Sequence, residues 1–170
     1  YDPTEGTIYV NGIDIRRFDY DAYTRLFSVV SQDYKIFSMT VRENIQLGHV
    51  SPKEDQLLFA VQGVGLDRLV QKWPGQLDTM LIREFDPDGT DISGGESQKI
   101  ALARGIYRDT PFLVMDEPTS ALDPLGERKV FDTILEIAKS KTVIFISHRL
   151  SSTQFADKIL VMENGRLIES

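Results

Sequence analysis

Three short runs constrain this chain more than anything else in it: "LFSVVSQ" at 26–32, "PFLVMDE" at 111–117 and "KTVIFISH" at 141–148. Each is rich in β-branched or aromatic residues and lacks a clean alternation of apolar and polar positions. A strand with one wet face alternates, whereas a strand covered on both faces reads as continuous apolar sequence. Cover on both faces goes with parallel sheets whose crossovers are helices, and helix signals do separate the runs. Asp123-Pro124 sets a capping side chain before a proline at the first helical position. Behind it Val130, Ile134 and Ile137, with Phe131 and Leu135, share one face at helical spacing. Helix, buried strand, helix, buried strand predicts an α/β fold, a parallel sheet with right-handed crossovers.

Near the two ends, "GTIYVNGIDI" and "KILVMENGRLIE" set Asn11-Gly12 and Asn164-Gly165 between β-rich runs, a strong hairpin signal. From about 40 to 92 the chain carries helix signals and no convincing strand, which predicts a helical insertion into the α/β core. Ser51-Pro52-Lys53-Glu54 combines an N-cap, a proline and a capping box ahead of "EDQLLFAVQ", and the polar connector "EFDPDGTD" leads back to the core. A net charge of −7 argues against a grip on nucleic-acid phosphates, which needs clustered Lys and Arg. With no Cys and two separated His, disulfides, thiolate metal sites and His-rich sites are excluded.

In open α/β sheets ligands gather at the carboxyl ends of the strands. The three runs end in Gln32, in Asp116 with Glu117, and in His148. Any one of these alone is simply where a strand reaches water. Together they bring an amide, two carboxylates and an imidazole to one edge, which is the inventory of an active site. Asp116 suits Mg²⁺, which prefers oxygen ligands. Glu117 could orient and deprotonate a water, His148 could hydrogen-bond a terminal phosphate, and Gln32 could touch the metal or the water. Those roles describe phosphoryl transfer to water, in which positioning and charge neutralisation carry the catalysis.

A fourth stretch, "DISGGESQKIALARG" at 91–105, opens a helix with a capping box from Ser93 and Glu96. Its first helical residues are Gly94 and Gly95, each worse than alanine in a helix by about 1 kcal/mol. Glycines there remove Cβ atoms and bare N–H groups, so an anion can approach the positive end of the helix dipole. The motif therefore predicts a phosphate contact, whereas a plain capping box explains Ser93 and Glu96 but not the glycines.

At this point the residues resemble a known family. "ISGGESQKIALARG" resembles the signature motif of ATP-binding cassette (ABC) ATPases, and "FLVMDEPTSALD" resembles their Walker B strand, catalytic Glu and D-loop. Gln32 matches the Q-loop and "ISHRLSS" the His switch, all in family order over nearly the whole chain. The resemblance implies a P-loop NTPase-like α/β fold, with residues 1–39 and 93–170 as the core and 40–92 as the helical subdomain. It implies ATP and Mg²⁺ as ligands, with Asp116 and Gln32 at the metal and Gln32, Glu117 and His148 catalytic in cis. The partner it implies is a second ABC ATPase domain, identical or different, packed head to tail with two ATP molecules between. Ser93, Gly94, Gly95 and Glu96, with Ser120 and Asp123 of the D-loop, are then expected nucleotide contacts, the signature acting on the γ-phosphate bound mainly to the partner. "IFSMTVRENIQLG" resembles the exporter-type segment that faces the coupling helices of a transmembrane domain. Its setting would be the cytoplasmic face of a bacterial cell membrane.

Two departures stand out. Glu96 replaces the usual Gln of the signature, and no G-x-x-x-x-G-K-[ST] phosphate loop occurs in the 170 residues. "YDPTEGTIYVNG" resembles the segment after the Walker A helix, and Tyr1 is not at the position of the adenine-stacking aromatic. The resemblance thus implies a piece lacking the Walker A strand and helix and inactive by itself, its missing strand belonging between "KTVIFIS" and "KILVM". A DNA-repair or chromosome-condensation ATPase of the same superfamily would carry a long coiled coil where this chain has a compact insert without heptads. A non-enzymatic dimerising module is the remaining alternative.

Overall fold

In the computed structural model the described residues are 3–48, 53–83 and 89–170. The strands are β1 Tyr9–Val10, β2 Ile13–Asp14, β3 Phe27–Val30, β4 Phe112–Asp116, β5 Thr142–Ile146, β6 Val161–Glu163 and β7 Arg166–Glu169. The helices are α1 Tyr20–Thr24, α2 Val41–Ile45, α3 Glu54–Gly63, α4 Asp67–Val70, α5 Gly94–Tyr107, α6 Pro124–Ala138 and α7 Leu150–Thr153. All three apolar runs are strands, and both Asn-Gly pairs make hairpin turns. Positive φ at Asn11 and Gly12 (50° and 77°) and at Asn164 and Gly165 (47° and 74°) is what a type I′ turn requires.

Local chemistry sets most helix starts. Thr40 with Glu43 and Ser93 with Glu96 form complete capping boxes on α2 and α5. The Asp123 carboxylate accepts from the Gly126 amide, with Pro124 in the first turn of α6. α3, α4 and α7 have no side-chain cap, and α3 begins at Glu54 after an extended Lys53, later than a cap at Ser51 requires. A tertiary contact takes over there: the Lys53 amide donates to the Tyr107 hydroxyl of α5 at 3.0 Å. Tyr1, Ser51, Pro52 and most of the "EFDPDGTD" connector lie outside the described residues.

β3, β4 and β5 form a parallel sheet in that order, with Val29 opposite Val114 and Val114 opposite Ile144. Here the expectation of cover on both faces is corrected. Val29, Ile144 and Ile146 on one face are 63%, 49% and 56% exposed, whereas Val30, Leu113 and Met115 on the other are buried. The cause is topological. Both crossovers step in the same direction across the sheet, and right-handed crossovers of that kind lay their helices on one side. α5 packs on β3 and α6 on β5, both on that side. Among the described residues β5 is hydrogen-bonded only to β4, and β6 only to β7.

Among the described residues between β3 and α5 the regular elements are helices, with isolated bridges Thr40–Met80 and Leu81–Thr90. Its apolar side chains do not form a separate core. Val41, Ile45, Leu57, Val61 and Leu66 join Ile100, Leu102, Met115, Val130 and Phe131 in one buried cluster. Each such side chain stabilises the fold by about 1.5–3 kcal/mol on burial, so α5 at the middle of the cluster holds helical part and sheet together.

Candidate functional site

The carboxyl edge of the sheet assembles the site. Asp116 ends β4 on the uncovered face, in register with Ile146; Glu117 follows it, and His148 lies two residues past β5. Glu117 turns the chain with φ 47°, a left-handed conformation that costs a non-glycine residue on the order of 1 kcal/mol or more. Three hydrogen bonds hold it there. Its amide donates to the Ile146 carbonyl (2.9 Å), and its carbonyl accepts from Gln98 Nε2 (3.1 Å) and from the Ser120 amide (3.2 Å).

The Glu117 carboxylate, about three-quarters buried, stands 2.7 Å from Nδ1 of the more exposed His148. A carboxylate only accepts hydrogen bonds, so against that form the tautomer protonated at Nδ1 makes this contact and leaves Nε2 for another partner. Arg149 braces the same loop. It pairs with Glu127 (3.1 Å) and donates to the Ser120 carbonyl (3.3 Å), while Thr119 Oγ1 donates to the other oxygen of Glu127 (3.2 Å).

At the start of α5 the capping box uses the amides of Ser93, which donates to Glu96 Oε2 at 2.7 Å, and of Glu96, which donates to Ser93 Oγ at 3.3 Å. Nothing among the described residues accepts from the amides of Gly94 and Gly95. The two glycines differ. A Cβ on Gly95 would sit 2.9 Å from the Ala121 carbonyl oxygen, so packing alone requires glycine there, whereas a Cβ on Gly94 would meet nothing within 4 Å. Only Gly94 is left for a ligand to explain.

The other candidates fall as follows. Gln32 is exposed on the loop after β3, and no hydrogen bond joins it to Asp116, Glu117 or His148 among the described residues. Ser120 Oγ accepts from Gln98 Nε2 at 2.9 Å, and the Asp123 carboxylate is engaged as the cap of α6. No group of three or more His, Asp or Glu among the described residues forms a metal cage. Oxygen donors such as Asp116 and Gln32 nonetheless fit Mg²⁺, which keeps several waters and takes one or two carboxylates plus substrate phosphates.

Sequence reasoning missed Gln98, Tyr34 and Arg104. Gln98 is 3% exposed; its amide donates to Glu117 and Ser120, and its Oε1 accepts from the Ala121 amide at 2.8 Å. The available signal was an amide on the buried stripe shared with Ala101, Leu102, Gly105 and Ile106. Burial lowers the pKa of Arg104 and raises that of Tyr34.

Several known proteins resemble this chain in sequence and in overall fold. The family model described as "ABC transporter" matches residues 1–120. The subtilin transport ATP-binding protein SpaT of Bacillus subtilis is 40% identical over 173 residues, covering 99% of this chain and 28% of that protein. The ATP-dependent lipid A-core flippase of Burkholderia orbicola is 37% identical over 169 residues (99% and 28%). The mitochondrial iron-sulfur clusters transporter ATM1 of Kluyveromyces lactis is 39% identical over 171 residues (99% and 23%). A bacterial Atm1-family ABC exporter solved with ATP bound superimposes with a TM-score of 0.89 at 34% identity, covering 99% of this chain and 29% of that one. The chain thus spans less than a third of the length of each of these relatives.

Proposed function

This chain belongs to the ABC transporter family, and on that premise we propose that it supplies the ATP-binding and hydrolysing chemistry of an exporter, in which closure of two ATPase domains drives transport. The observation that carries the proposal is the Glu117–His148 contact of 2.7 Å at the carboxyl edge, beside Asp116. The names of the relatives span three different cargoes, subtilin, a lipid and iron-sulfur clusters, so the ATP-driven step is what they have in common.

Glu117 orients a water and takes its proton, with its backbone held so that the carboxylate cannot drift. His148 donates from Nδ1 to Glu117 and turns Nε2 toward the terminal phosphate, as a donor when the ring is protonated. Asp116 and Gln32 would hold Mg²⁺, which when bound neutralises phosphate charge. Ser93, Gly94, Gly95 and Glu96 form the anion-facing turn that meets the γ-phosphate on the partner domain, and Ser120 and Asp123 line the facing loop. Residues 1–39 and 93–170 form the catalytic core and 40–92 the helical subdomain facing a transmembrane partner. Among the described residues no helix is long and apolar enough to cross a membrane. The setting we propose is the cytoplasmic face of a membrane, with transmembrane domains supplied by the rest of the transporter.

Gly94→Asp in the full-length protein tests the trans contact. Acidic residues are favourable in the first turn of a helix, and nothing crowds a Cβ there, so folding is expected to survive. ATP-driven association of the ATPase domains is expected to weaken tenfold or more, on the order expected for a repelled anion contact, with little change in ATP affinity of a single domain. Equal losses in both would place the turn in cis. The 170 residues tested alone, without a phosphate loop, are expected to show no micromolar Mg-ATP affinity by calorimetry, the opposite result contradicting the need for that loop.

A further inference from the structure

One hydrogen bond joins two parts of the site that lie far apart in sequence. Tyr34 is two residues beyond Gln32, and its hydroxyl donates to the carbonyl of Gly94, the first residue of α5, at 3.2 Å. Farther along the same loop α5 makes a second attachment. Arg104 donates from Nη1 to the Lys35 carbonyl (3.0 Å), from Nε to the Asn44 carbonyl (2.7 Å) and from Nη2 to Asn44 Oδ1 (3.3 Å). Its guanidinium lies 5.5 Å from the ring centre of Phe37. Asn44, fully buried, in turn holds Phe37 by both its amide and its carbonyl, each at 2.9 Å.

The two attachments differ in strength. The Arg104–Asn44 end is a buried network, and breaking any part of it strands polar groups. The Tyr34 end is a single neutral hydrogen bond from a half-buried side chain, so it is the end that can open and close. Gln32 lies just outside it on the loop side, and the open amides of Gly94 and Gly95 lie just outside it on the helix side.

We propose that Tyr34 is a positioning residue that ties Gln32 to the Gly94 turn, so that the two ligand-facing elements of one chain move together. This rests on the ATPase function proposed above. Where Gln32 faces a domain's own nucleotide and Gly94 that of its partner, Tyr34 links occupancy of one site to engagement of the other. A neutral hydrogen bond can supply a coupling of about three- to tenfold.

The test is Tyr34→Phe in the full-length protein, which keeps the ring and loses only the hydroxyl, alone and combined with Gln32→Ala. Half-saturating ATP for turnover is expected to rise about three- to tenfold and the Hill coefficient to fall toward 1, the effect falling on half-saturation more than on kcat. With Gln32 already replaced, Tyr34→Phe is expected to add nothing, because its effect runs through Gln32. Turnover curves identical to the unmodified protein, or the same loss in both backgrounds, would overturn the coupling while leaving the ATPase function standing. A loss of thermal stability with kcat and half-saturation falling in parallel would make Tyr34 merely structural and overturn it too. Failure of the unmodified protein to hydrolyse ATP would remove the function itself, and the coupling with it.

Discussion

Glu117→Gln in the full-length protein is expected to keep Mg-ATP binding and to lower kcat by about 10²- to 10⁴-fold, the range a positioned general base contributes. The amide preserves the shape of the carboxylate and can still accept from His148 Nδ1. The backbone at φ 47° keeps its hydrogen bonds to Ile146, Gln98 and Ser120, none of which involves the side chain. What disappears is the capacity to take a proton. Single-turnover hydrolysis separates the two steps, and ATP-bound dimers of the variant are expected to persist in light scattering where those of the unmodified protein decay. Turnover at the unmodified rate would remove Glu117 from the role of base and leave His148 as the group to examine.

Gln98→Leu is expected to impair both stability and catalysis, although Gln98 is no candidate for contact with nucleotide. Leucine fills the space and suits the apolar stripe of α5, but it abandons the Ala121 amide, the Glu117 carbonyl and Ser120 Oγ together. Leaving a buried donor or acceptor unpaired costs about 1–3 kcal/mol, and water can reach part of this loop, so a total of about 2–3 kcal/mol is expected. Urea unfolding should show a lower midpoint at unchanged slope. Because one of three bonds fixing the Glu117 turn is lost, kcat should also fall by about tenfold, on the order of one hydrogen bond's worth of positioning. An unchanged urea midpoint would show that Gln98 does not clamp the loop.

The strands were legible because continuous apolar sequence has few other uses in a chain of this composition. Their polar end residues were legible because a parallel sheet sends every carboxyl end the same way, and Glu117 and His148 do meet. The caps at Ser93 and Asp123 and the Asn-Gly turns rest on groups within three residues of each other, so a window of sequence contains both partners. Where a distant partner competes, as Tyr107 does for the Lys53 amide, the local rule placed a helix start too early.

From sequence alone, then, came the strand and helix types, the hairpins, the shared edge and the anomaly of two glycines at a helix start. Tertiary structure decided that one sheet face is uncovered, since the side taken by a crossover depends on the order in which strands add. It also separated the two glycines, Gly95 by its approach to Ala121 and Gly94 by the open space around it. The ties from Tyr34 to Gly94 and from Arg104 to Lys35 and Asn44 bridge 60 residues or more. Periodicity reports which face of an element is buried. Which atom on that face finds a partner depends on how a second, distant element is seated against it, and only packing determines that.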